Sequence, residues 1–305
     1  MKKAFIQLHI AVFLAGFTGI MGKLITLNEG LLVWYRLFIT AVTMWILFSL
    51  TKKLRRVSVK DIIKLTAVGF LSAMHWVTFY GAIKYANISV ALVCFSAVGF
   101  FTALLEPLLL RKKMNWIELL LGLLVILGIY IIFQFDGKYT TGIILGVISA
   151  LLIAVSMIYF KIFVGKLGSE TTLTYQLSGA LVSLTLVMPL YLYQFPTDYI
   201  IPNLNDWMWL LALAWFCSVI AFQFTGQAIK KLSAFTVNLT FNLEPVYGII
   251  LAFIIYKENA SLSIWFFVGL AVILLSLVIH VVLLLQEERK KKLHVLIESI
   301  PSKDN

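Results

Sequence analysis

The sequence predicts an all-α integral membrane protein, with ten transmembrane helices arranged as two inverted five-helix repeats. Three observations carry this prediction. First, 61% of the 305 residues are apolar and only 13% are charged, against about 45–50% and about 25% in soluble domains. A globule of this length has too little interior to hide so much apolar surface, so the bilayer is the solvent that fits. Second, ten apolar runs are each long enough to cross the hydrocarbon core, which takes about 20 residues. Third, 20 of the 25 Lys and Arg residues gather on one side of those runs. The same composition excludes a soluble enzyme, a disordered regulator and a nucleic-acid-binding domain.

The first run, residues 4–24, follows Met1-Lys2-Lys3 and could be mistaken for a secretory signal. It is long, and no small-x-small site precedes a polar chain, so it reads as a retained helix. The second run, 31–51, carries Trp34-Tyr35-Arg36 near its start, and a basic connection from Lys52 to Lys64 follows. The third, 62–82, is less apolar than most but still fits a span. The fourth, 88–110, has Glu106-Pro107 close to its end. The fifth, 115–134, is apolar without alternation from Leu119 to Ile132, which excludes barrel strands. The sixth and seventh are 141–163 and 170–193. The longest connection, Gln194 to Asp206, is marked by Pro, Asp and Asn and reads as a surface loop. The eighth, 207–227, is again less apolar. The ninth, 234–256, holds Glu244-Pro245 in its interior, and the tenth is 262–285. The tail, 286–305, is charged and expected to be partly unstructured. Trp34, Trp116, Trp207, Trp209 and Trp265 lie near span ends, as interfacial aromatic residues do. Cys94 and Cys217 lie inside apolar runs and form no CxxC motif.

An even number of spans leaves both termini on one side. On that assignment 20 of the 25 cations share the side of the termini, Arg36 lies within a span, and Lys23, Lys84, Lys138 and Lys257 face the other side. Positive charge retained in the cytoplasm gives this asymmetry, so the expected orientation has both termini cytoplasmic in the plasma (inner) membrane. The net charge of +11 therefore sets orientation and needs no nucleic-acid partner. The cluster Arg289 to Lys292 can also touch anionic lipid of the bilayer.

The two halves resemble each other. Ala82-Ile83-Lys84 ends the third span and Ala228-Ile229-Lys230 ends the eighth, 146 positions later. Gly122 to Leu127 matches Gly269 to Leu274 at an offset of 147. Chance likeness between apolar helices is the alternative, but the shared offset favours a repeat. The expected units are 1–138, 139–285 and a charged cytoplasmic tail at 286–305. Five spans per half is odd, so the second half enters the membrane inverted, a plan that recurs in secondary transporters. The first and sixth spans carry small-residue ladders, Ala11, Ala15 and Gly19 in one and Gly142, Gly146, Ala150 and Ala154 in the other. Close packing explains them, and sliding faces are the functional alternative.

These residues resemble the drug/metabolite transporter superfamily, and within it the EamA-like family. The resemblance rests on Trp34-Tyr35-Arg36, the basic connection Lys52 to Lys64, and the stretch His75-Trp76-Val77-Thr78-Phe79-Tyr80-Gly81-Ala82-Ile83-Lys84. It also rests on Leu243-Glu244-Pro245-Val246, Tyr256-Lys257-Glu258, and Gly269 after Trp265. It covers about residues 4–285, with specificity in the order and spacing of loose motifs. Glu106-Pro107 followed by Arg111-Lys112-Lys113 departs from many relatives, which have proline earlier and a glutamate after the helix. The resemblance implies export or exchange of small polar metabolites, such as amino acids, through a central cavity.

Glu244 is the strongest candidate for substrate or proton binding. It lies ten residues into the ninth run, about 15 Å deep at 1.5 Å per residue, near the midplane. An isolated carboxylate there costs at least about 2.5 kcal/mol, so it faces a cavity, pairs, or is protonated. Pro245 frees a carbonyl at the same depth. Asn238 and Asn242 stand one turn apart nearby. His75, Trp76, Tyr80 and Gln223 complete the candidate substrate site, and Gln227 follows Gln223 at i+4. For His75 and Gln223 a purely structural role competes. Glu106 can reach Arg111 or interfacial water, and Arg36 can snorkel outward. No catalytic residue, metal site or cofactor is expected. The expected function is a secondary transporter, an exporter or exchanger working by alternating access, with proton coupling and self-association left open. A membrane-embedded enzyme acting on lipid is the alternative. It is disfavoured by the lack of HExxH and of an intramembrane Asp pair, and the lack of a Walker motif argues against direct drive by ATP.

Overall fold

The computed structural model describes residues 2–135, 137–229, 231–232, 240–241 and 243–298. All regular structure among them is helical. The first three spans are α1 (Lys2–Leu24), α2 (Glu29–Leu50) and α3 (Val59–Tyr85). The fourth comprises α4 (Ile88–Phe95) and α5 (Val98–Leu110), and the fifth is α6 (Trp116–Phe135). The second half follows with α7 (Thr140–Leu167) and α8 (Ser169–Gln194). The eighth span joins α9 (Leu204–Ala214), a π-helical segment (Trp215–Ile220) and α10 (Ala221–Ile229). α11 (Glu244–Tyr256) belongs to the ninth span, and α12 (Ile264–Glu298) is the tenth. Among the described residues nine helices are long and apolar enough to cross a membrane, and α11 is a shorter apolar helix.

Starts and stops follow local chemistry. Asn28, Ser58, Asn87 and Asn203 each accept a hydrogen bond from the amide three residues on and so open α2, α3, α4 and α9. Arg111 and Lys257 take left-handed conformations, at φ 52° and 51°, and close α5 and α11. The second half-helices begin at Val98 and Glu244 and end at these two caps, both pairs 146 positions apart. That offset matches the Ala-Ile-Lys triplets. The tenth helix runs past Leu285 to Glu298. Of the tail expected to be partly unstructured, residues 286–298 are thus helical, and residues 299–305 lie outside the described residues.

The packing is that of two halves related by exchange. α3 lies along α7 and α8, while α1 lies along α9, α10 and α11. The third span thus packs on the sixth as the eighth packs on the first. α2 meets α8, α4 meets α11 and α6 meets α12, so each of these spans meets its own counterpart. Close backbone contact comes beside the first ladder, at Gly16, where an added Cβ would sit 2.9 Å from the Glu244 carbonyl oxygen and 3.1 Å from the Gly248 nitrogen. Such an approach needs glycine on both helices. Large apolar side chains such as Leu186 (77% exposed) and Ile254 (70% exposed) cover the outside, as a lipid-facing surface requires.

Two expected spans differ from continuous helices. The fourth breaks between Phe95 and Val98, where the Ala97 amide bonds to Cys94 O at 3.1 Å. Leu243, in a turn, precedes α11, so Glu244 is the first residue of a half-helix and not a mid-helix residue. Pro245 accordingly occupies the first turn, where its missing N–H costs no helical bond.

Candidate functional site

Among the described residues Arg36 is the one buried Lys or Arg. It is 3% exposed and turns inward, contrary to the outward snorkelling its position suggested. The reason is a set of partners from two other spans. Its Nη1 donates to Tyr80 Oη at 2.8 Å, and its Nε and Nη2 donate to Ser218 Oγ at 3.2 and 3.0 Å. The Trp76 ring lies 4.6 Å from the guanidinium carbon, within cation–π range. Trp76 and Tyr80 are one turn apart and share a face of α3. Room for the Tyr80 ring comes from Gly22, where an added Cβ would lie 2.1 Å from the ring. Ser218 stands in the π-helical segment, a geometry that widens the helix and re-aims its side chains.

The remaining expected site residues separate. His75 points to the opposite neighbour: its Nδ1 lies 2.8 Å from Ser149 Oγ, and Ser149 Oγ donates to His75 O at 3.1 Å. Phe79 and Phe95 flank its ring. It ties α3 to α7. Gln223 and Gln227 line a cavity of about 40 Å³ with Phe48, Lys53 and Glu170. Gln7 Nε2 donates to Gln227 Oε1 at 2.8 Å. Glu244 is half-buried at the start of α11. Arg36 is among the charges that act on it, but no ion-pair contact joins them among the described residues. Asn238 and Asn242 lie outside the described residues.

Both ends of the bundle are tied by carboxylates. At the cation-poor end Glu258, 4% exposed, accepts from Lys23 Nζ at 2.9 Å, and from Ile88 N and Ser89 N at 3.2 and 2.9 Å. The Ser89 hydroxyl adds a bond of 2.7 Å. The carboxylate thus sits on the N-terminus of α4, where unpaired amides favour negative charge. Asp206, fully buried, accepts from Thr26 N, Thr26 Oγ1 and Tyr199 Oη at 2.9, 2.7 and 2.8 Å. At the cation-rich end Glu106 meets Lys112 at 2.8 Å and Lys161 at 3.7 Å. Its partner is Lys112 and not Arg111, because the left-handed turn at Arg111 brings the next residue back over the helix end. Asp61 pairs there with Lys166 at 2.7 Å.

Sequence reasoning passed over Ser218, although it stands 146 positions after Ser72, the repeat offset. Ser72 has an analogous setting: it bonds Ser156 and accepts from Gln176 Nε2 at 2.7 and 2.8 Å. In each half the serine of one long span receives a donor from the partner half.

The comparisons agree with this architecture. A relative from Bacillus subtilis (strain 168), "Uncharacterized transporter YetK", is 24% identical over 292 residues, covering 92% of this chain and 87% of its own. A protein of known crystal structure, 15% identical, has a TM-score of 0.60 over 90% of this chain and 95% of its own, and so shares the fold. The EamA-like transporter family matches the chain twice, over residues 2–134 and 140–281. This chain, an all-helical membrane protein built on two such repeats, belongs to the EamA-like transporter family.

Proposed function

We propose that the protein is a secondary transporter that exports or exchanges a small polar, amino-acid-like metabolite by alternating access between its two five-helix halves. Its orientation follows the cation asymmetry, with both termini in the cytoplasm. The observation that carries this reading is the matched interruption of two spans, with half-helices starting at Val98 and Glu244 at the repeat offset. Discontinuous helices near mid-membrane present unpaired backbone groups to a ligand, and their pairing across inverted halves allows the same path to open from either side. Glu244 lies at one of these starts and is the residue assigned to bind substrate or a coupling proton. Trp76, Tyr80, Gln223, Asn238 and Asn242 are the further residues assigned to the substrate path. His75 contributes by holding α3 on α7.

The test begins with a thermal-stability screen of purified protein against amino acids, nucleosides and organic cations. A stabilising compound is then followed into liposomes containing the parent or Glu244→Gln. Loss of flux, or loss of its pH dependence, is expected. Unchanged flux with unchanged pH dependence removes Glu244 from the mechanism.

A further inference from the structure

A buried guanidinium normally sits against a carboxylate, because a charge removed from water needs an opposite charge nearby. Arg36 does not. At 3% exposure it is met by two neutral hydroxyls and an indole face. Guanidinium has five N–H donors in a planar fork, and Tyr80 and Ser218 take three of them. No carboxylate lies within ion-pair distance of Arg36 among the described residues. One turn along the same face of α2 stands Thr40, 2% exposed, whose Oγ1 has no hydrogen-bond partner. A helical threonine hydroxyl usually bonds back to the carbonyl four residues earlier, as Thr43 does to Ile39 O at 2.7 Å. A cation with two donors to spare and a buried hydroxyl with none of its bonds made therefore share one face.

We propose that Arg36, with Thr40, Tyr80, Ser218 and the Trp76 ring, forms the binding site for a carboxylate group of the transported substrate. That the ligand is transported rests on the transporter reading; the site itself does not. A carboxylate would accept both remaining N–H groups in the bidentate geometry that distinguishes arginine from lysine. It would also accept from Thr40. A flat or branched apolar body would rest against Trp76. Ser218 belongs to the second half and Arg36 to the first, so a ligand held on the two free N–H groups is bound by a guanidinium that already bridges the halves. That gives the substrate a direct hold on their relative position.

The experiment uses purified full-length protein and two matched probe pairs, isovalerate with isovaleramide and benzoate with benzamide, read by thermal unfolding at pH 7. Each acid is expected to raise Tm in a saturable way, and each amide to have little effect. Arg36→Gln is expected to weaken half-saturation by the acids about tenfold or more, the size of a lost charge-assisted pair. Arg36→Lys is expected to recover only part of it. Because Arg36→Gln can misfold, Thr40→Val is the second variant: its ligand-free Tm should hold while acid binding weakens. Equal shifts from acid and amide, no shift from either acid, or an undiminished acid preference in Arg36→Gln and Thr40→Val overturns the proposal. Counterflow of labelled benzoate in liposomes separates the two readings. Binding through Arg36 without flux leaves the site standing and removes the transporter reading for that probe.

Discussion

Glu258 Oε1 lies 2.9 Å from Lys23 Nζ, while its Oε2 accepts both the amide and the hydroxyl of Ser89. One carboxylate thus joins the end of α1 to the start of α4 from a short turn after α11. Its 4% exposure separates it from the pair at the other end, where Glu106 is 24% exposed and its lysines 54% and 74%. The two ties link spans one and nine at one end and spans six and four at the other, which are equivalent pairs in the repeat. Burial of the Glu258 carboxylate makes the first the stronger tie, since removing its charge weakens the bonds of the buried Ile88 and Ser89 amides and the Ser89 hydroxyl, while Lys23, 36% exposed, can turn to water.

Glu258→Gln is therefore expected to lower stability by about 1–3 kcal/mol. Glu106→Gln should cost under about 1 kcal/mol and vary with salt, as exposed pairs do. Unfolding in mixed detergent gives both numbers, with Lys60→Gln, an exposed change, as the reference. Equal losses at the two ends would contradict the ranking.

If Glu258 keeps the cation-poor end shut, its loss should expose the upper part of α4. Cys94 is 1% exposed and lies five residues below Ser89, about 7.5 Å along the helix. In a Cys217→Ser background, Glu258→Gln should speed labelling of Cys94 by a membrane-impermeant maleimide several-fold. A rate matching that of the parent would show that this end is held by other contacts, such as Asp206 with Thr26.

Gly22 is the space that Tyr80 occupies. Gly22→Val would drive its side chain into the ring, and overpacking of this kind costs about 1–3 kcal/mol. The displaced hydroxyl also leaves Arg36. Flux should fall along with stability, whereas Gly165→Ala, at a site with open space around it, should change neither.

His75 and Ser149 are expected to act on packing alone. Ser149→Ala removes a buried hydrogen bond, but His75 Nδ1 keeps the backbone carbonyl of residue 149 at 3.1 Å, so the loss should be about 0.5–1.5 kcal/mol. The concentration of substrate giving half-maximal flux should not move. A large shift in that concentration at unchanged stability would return His75 to the binding site.

Much of the fold was legible because span formation depends on sums along the chain. Ten runs, the cation asymmetry and the common offset need only local counting, and the family relationship follows from motifs in order. The break in the fourth span was not legible, since its residues are as apolar as those on either side. The break before Glu244 left a trace in Pro245, which was taken as an interruption within a helix and stands instead at a helix start.

The candidate site divides the same way. The sequence alone determined that Glu244 and Arg36 lie within apolar runs, and that Trp76 and Tyr80 share a helical face, because depth and face follow from rise and period. Only the tertiary structure decided that Arg36 turns inward to Ser218, 182 positions away, that His75 faces Ser149, and that Glu258 holds Ser89. The physical reason is that these helices are apolar on nearly every face, lipid being as welcoming to leucine as the interior is. Hydropathy therefore does not say how a helix is rotated about its axis. Close contacts between small residues, such as Gly16 on Gly248, set that rotation, and with it the partners of each polar group.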